Sequence, residues 1–94
     1  MRVHVRIDAN CRFDIGERTP ETRSQVKQYV KAFRDYAGAH AGRPPGARQI
    51  RDTPPTFLWE DANWRFTYTL EVSAKVVTIA IFHVELRSRG GDRS

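Results

Sequence analysis

The residues best suited to chemistry in this sequence stand near its C-terminus, in the run His83-Val84-Glu85-Leu86-Arg87. Successive strand residues point to opposite faces, so His83, Glu85 and Arg87 share one face if the run is extended. A histidine that titrates near neutrality, a carboxylate and a cation are the parts of general acid–base work on a phosphodiester. Arg65 is a further candidate. It alternates with Thr67 and Thr69 on the polar side of an apolar strand, where its planar fork would clamp a phosphate. The remaining candidates are cations: Arg43, Arg48 and Arg51 in a Pro/Gly-rich stretch, and Arg87, Arg89 and Arg93 in the tail. Groups that follow a phosphate backbone must lie on one surface, which the sequence alone does not fix. The competing readings are structural: a strand end that turns polar as it leaves the core, and a solvated strand face. Trp59 and Trp64 offer rings on which bases stack, although the apolar alternation around Trp64 favours a core position.

Other chemistries find no residues. There is no Gly-rich phosphate loop, no nucleophile elbow and no His–Cys metal spacing, and Ser24, Ser73, Ser88 and Ser94 lie outside any triad context. Neither a cofactor nor a metal is expected. The single cysteine, Cys11, cannot close an internal disulfide and reads as a small half-buried strand residue, which fits a reducing compartment. Sixteen Lys and Arg against eleven Asp and Glu give a net charge of +5, and thirteen of the sixteen cations are arginine. Arginine binds phosphate bidentately and stacks on bases, so the partner expected is nucleic acid or an acidic protein. No apolar run reaches the ~18 residues of a membrane span, and Met1–Arg6 alternates charged with apolar residues as no signal peptide does. A cytoplasmic protein with no membrane association is expected.

The elements that must position these side chains fit one domain over residues 1–94. Val3, Val5 and Ile7 alternate with polar residues, Asp8-Ala9-Asn10 has turn chemistry, and Cys11, Phe13 and Ile15 alternate again. An N-terminal strand or hairpin is therefore predicted. Thr19-Pro20-Glu21 is a helix start, with a capping hydroxyl, a proline at the first position and an acid at the positive end of the dipole. Val26, Tyr29, Val30, Phe33, Tyr36 and Ala37 follow at helical spacing, and Gly38 is the expected stop. Residues 39–55 read as a basic loop, with a helical turn at Ala47–Arg51 left open. Phe57-Leu58-Trp59, Trp64–Val72 and Lys75–Leu86 then form a three-stranded meander, and residues 86–94 a flexible tail. The expected fold is α+β: an antiparallel sheet with one long amphipathic helix packed on it. A regular hairpin at Ser73-Ala74 pairs Trp64 with His83 and Arg65 with Phe82, leaving Arg65 and His83 on opposite faces; a single bulge would unite them.

A helix, a basic loop, Asn63-Trp64-Arg65-Phe66-Thr67-Tyr68, a hairpin and then Val76-Val77-Thr78-Ile79-Ala80-Ile81-Phe82-His83 resembles the RelE/ParE toxins of type II toxin–antitoxin systems. The resemblance covers roughly residues 20–89. It implies metal-independent, ribosome-dependent cleavage of mRNA if the chain is RelE-like, gyrase poisoning if ParE-like, and a cognate antitoxin partner. Arg65 matches the arginine of the family's aromatic-Arg strand, and His83 the histidine often found at the last strand's end. The sequence departs from the pattern at Val84 and Glu85, where the family usually places arginine. It also lacks a tail tyrosine and has one clear helix where two are common. A non-catalytic basic module that binds nucleic acid or an acidic protein remains the alternative. An immunity protein is disfavoured by the positive charge.

Overall fold

The Thr19 hydroxyl accepts the Thr22 N–H at 3.1 Å, which satisfies one of the free donors at a helix start. Helix α1 runs Pro20–Ala39. In the computed structural model, which describes residues 2–17, 19–61 and 63–87, this helix crosses one face of a five-stranded mixed sheet. Gly38 lies inside the helix and is not its stop. The chain turns three and four residues later, where Ala41 and Gly42 take the left-handed conformation at φ 53° and 83°. The Gly42 and Ala41 N–H groups then reach back to the carbonyls of Ala37 and Gly38 at 2.8 and 3.3 Å, a Schellman closure.

The strands are β1 (Arg2–Asp14), β2 (Arg48–Asp52), β3 (Pro55–Glu60), β4 (Trp64–Val72) and β5 (Val76–Leu86), in the spatial order β1-β5-β4-β3-β2. The predicted meander is β3-β4-β5, all antiparallel. The N-terminal segment is one long strand, with no hairpin, and it pairs parallel to β5. The turn-prone residues Asp8-Ala9-Asn10 lie in an irregularity between the Ile7↔Ile81 and Arg12↔His83 pairs. Within the expected basic loop, Arg48–Asp52 forms an edge strand against β3 and no helical turn. Every residue of that strand is exposed, so it has no apolar alternation to reveal it.

The core lies between α1 and the sheet. Val26, Val30, Phe33 and Ala37 of the helix meet Trp64, Phe66, Tyr68, Leu70, Val77, Ile79, Ile81 and Val84. Phe33 stacks on Phe66 with ring centres 4.4 Å apart, and Tyr29 leans on Trp64 at 4.9 Å. Each such side chain contributes roughly 1.5–3 kcal/mol by leaving water. The hydroxyl of fully buried Tyr68 donates to the Gly42 carbonyl at 2.7 Å, which ties the segment after the helix to the sheet. Among the described residues no helix covers the second sheet face, and the candidate chemistry stands there.

Candidate functional site

A conflict in the apolar pattern builds the site. Ile79 and Ile81 of β5 are fully buried on the helix side, and so is Val84. Residues three apart cannot share a face of a regular strand. The strand resolves this with one extra residue, Phe82: Tyr68 pairs with Ile81, and the next pair is Thr67↔His83. The pairings Trp64↔His83 and Arg65↔Phe82, expected from a regular hairpin, are thus replaced by Trp64↔Leu86 and Arg65↔Glu85. Directly opposed residues share a face, so Arg65, Thr67, His83 and Glu85 all stand on the side away from the helix.

Neighbouring strands add residues to this face. Parallel β1 sets Arg12 beside His83 and Asp14 beside Glu85, and β3 sets Glu60 opposite Arg65. On β2 a register shift at Ile50 leaves Arg48 opposite Leu58 and Arg51 opposite Thr56, so both cations lie on this face too.

Arg65 is held from two sides. Its Nε donates to Glu60 Oε2 at 2.9 Å and its Nη1 to Glu85 Oε1 at 3.1 Å. These contacts, the Glu60 hydrogen bond foremost, raise its pKa further above the ordinary arginine value. The same Glu60 oxygen lies 3.8 Å from Arg87 Nε, while Arg87 Nη1 donates to the Asp61 carbonyl. The Arg65 hydrogen bond, assisted by the charges of Arg87, Arg65 and Arg48, holds Glu60 below the usual carboxylate range. His83 Nε2 meets Asp14 Oδ2 at 2.7 Å, and Arg12 approaches the same carboxylate at 3.4 Å. Asp14 is held below its ordinary pKa first by the His83 hydrogen bond. The contact with Asp14 fixes the orientation of this part-exposed ring.

The four central candidates, Arg65, His83, Glu85 and Arg87, are therefore brought together. Arg48 and Arg51 extend the same face, whereas Arg43 sits over the Phe57 ring at 5.3 Å, on the helix side. Arg89 lies outside the described residues, as does the tail from residue 88. Trp64, 1% exposed, is core and offers no ring to a base, and Trp59 packs among Phe33, Tyr36 and Phe66. Cys11 is half-buried, and burial, with the charge of Asp8, pushes its thiol up to about 11. Behind Arg87 an open cleft of about 820 Å³ is lined by Gln25, Gln28, Tyr29, Asn63 and Trp64. Asp14 and Glu60 were missed by sequence reasoning. Asp14 carries no local signal, because its partner is sixty-nine residues away. Glu60 was missed because its partner Arg65 stands opposite it on the neighbouring strand.

The site is nearly balanced in charge: Arg12, Arg65 and Arg87 face Asp14, Glu60 and Glu85. Among the described residues no group of three or more His, Cys, Asp or Glu side chains is placed to hold a metal, and no helix is long and apolar enough to cross a membrane.

The chain matches no known protein-family model and no curated protein. Among solved structures it is similar to a chain of the toxin–antitoxin complex RelBE2 from Mycobacterium tuberculosis. The match has a TM-score of 0.59 at 22% identity and covers 93% of this chain and 100% of that one.

Proposed function

We propose that this chain, whose fold is that of a RelE-like toxin, is the toxin of a type II toxin–antitoxin system and cleaves mRNA on the ribosome without a metal. One observation carries the proposal: the Phe82 bulge sets His83 on the face that holds Arg65. His83, oriented by Asp14, serves as the acid or base at the reacting oxygen. Arg65 and Arg87 hold the scissile phosphate and stabilise the charge that develops on it. Glu85 fixes Arg65 from behind. Arg48 and Arg51 follow the RNA backbone along β2. The working compartment is the cytoplasm, where ribosomes and a cognate antitoxin are met.

Expression of the chain should arrest growth, a neighbouring gene's product should relieve the arrest, and purified protein should cut mRNA on programmed ribosomes. Absence of both arrest and cutting refutes the reading. A second reading is favoured by a specific observation: Glu60 and Glu85 already neutralise Arg65. In that reading the same face binds nucleic acid or an acidic protein, gyrase-type targets included, without catalysis. Substituting His83 and Glu85 by alanine separates the two. An enzyme loses turnover, whereas a binder keeps its salt-dependent affinity.

A further inference from the structure

The guanidinium groups of Arg65 and Arg87 aim their Nε at one oxygen of Glu60, at 2.9 and 3.8 Å. Each is braced by a different acceptor, Arg65 by Glu85 and Arg87 by the Asp61 carbonyl. The braces leave the shared oxygen as the one atom on which both forks converge. Two arginines meeting on one anionic oxygen is the arrangement guanidiniums form around a non-bridging phosphate oxygen. Glu60 is the last residue of β3 and its side chain is 32% exposed, so it can rotate into water without disturbing the core.

We infer that Arg65 and Arg87 form an anion seat for an RNA phosphodiester, and that Glu60 is its built-in placeholder, which must swing out before the phosphate enters. The identity of the ligand rests on the RNA reading above; the seat itself does not. Arg48 and Arg51 continue the cations along the same face, which a chain of phosphates can follow and a single peptide carboxylate cannot. The carboxylate's depressed pKa keeps the placeholder ionised near neutral pH.

The test compares the full-length protein with Glu60→Gln, with Glu71→Gln as a control for net charge, and with Glu60→Gln combined with Arg65→Gln. Affinity for a short fluorescein-labelled single-stranded RNA is read by anisotropy at fixed ionic strength. The stabilising effect of inorganic phosphate is read by thermal unfolding. Glu60→Gln should bind RNA about threefold to tenfold more tightly, as expected when a partly exposed ion pair stops competing. It should also gain more stability from phosphate than the parent does, and the second change should abolish both gains. Equal RNA and phosphate binding in Glu60→Gln and parent, with unchanged circular dichroism, overturns the inference, and so does an equal gain in Glu71→Gln. A gain confined to an acidic peptide overturns the assignment to RNA. Failure of the parent to cut mRNA while Glu60→Gln still gains affinity sinks the nuclease reading and leaves the seat intact.

Discussion

Tyr68→Phe is the most informative single change to the scaffold. It deletes one oxygen and leaves the ring in place among Phe33 and Phe57. That oxygen donates to the Gly42 carbonyl at 2.7 Å in a fully buried position, and the carbonyl loses its partner when the hydroxyl goes. An unsatisfied buried acceptor costs about 1–3 kcal/mol. For a domain near this length, that is a fall in Tm of roughly 4–8 °C per kcal/mol. The pH dependence supplies a second, independent reading. Burial raises the Tyr68 phenol from 10.0 to about 12. Above pH 10 the unfolded chain has lost this proton while the folded chain keeps it. Stability linked to Tyr68 is thus fully present below pH 10 and is lost as pH rises towards 12, by about 3 kcal/mol in all. Tyr68→Phe has no such proton, so the gap between parent and variant, measured by urea unfolding at a series of pH values, should close and then reverse across that window. A neutral-pH difference below about 0.3 kcal/mol would show that the hydroxyl does not anchor Gly42, and a gap constant with pH would show that burial does not raise the phenol.

Further outcomes are expected elsewhere. Asp14 has a depressed pKa, so its contribution is present above its unfolded value and lost as pH falls through the folded one. The acid limb of the parent's unfolding midpoint should therefore be steeper than that of Asp14→Asn; superimposable limbs would argue against the His83 contact. Ala41 sits at φ 53°, where a side chain is strained. Ala41→Gly should stabilise by about 0.5–1 kcal/mol, the left-handed penalty less glycine's entropy cost, as read by chemical denaturation. Arg65→Lys cannot hold Glu60 and Glu85 with one ammonium, and under the nuclease reading it should cut mRNA about 10²- to 10³-fold more slowly. Full activity in that variant would show that the planar fork is not used.

The helix start, the meander and the apolar face of β4 were legible because each is written locally, as a cap or an alternation. The parallel pairing of β1 was not. Asp8-Ala9-Asn10 supplies the chemistry of a turn, and nothing near it announces a partner seventy residues on. β2 was hidden because an edge strand with every residue exposed has no pattern. His83, Glu85 and Arg87 were legible as sharing one face by their spacing, but that Arg65 shares it was not. The sequence of β5 is apolar at odd and even positions alike, Val76, Ala80 and Phe82 included, so only burial reveals the switch: Val77, Ile79 and Ile81 face the core, and then Val84 does. A change of parity within one strand is the mark of a bulge. The countercharges Glu60 and Asp14 depend on pairing across strands and could be read only from coordinates.

The order of the strands has a consequence for how the protein is made. β5 lies between β1 and β4 in the sheet, yet it follows all the others along the chain. Until Val76–Leu86 has left the ribosomal exit tunnel, β1 has no ladder to join and Asp14 has no histidine beside it. A nascent chain stalled upstream of Val76 carries Arg65 but lacks the bulge, His83 and the parallel pair. Assembly then waits on contacts distant in sequence, which form slowly. Translation itself therefore sets the earliest moment at which this face can exist.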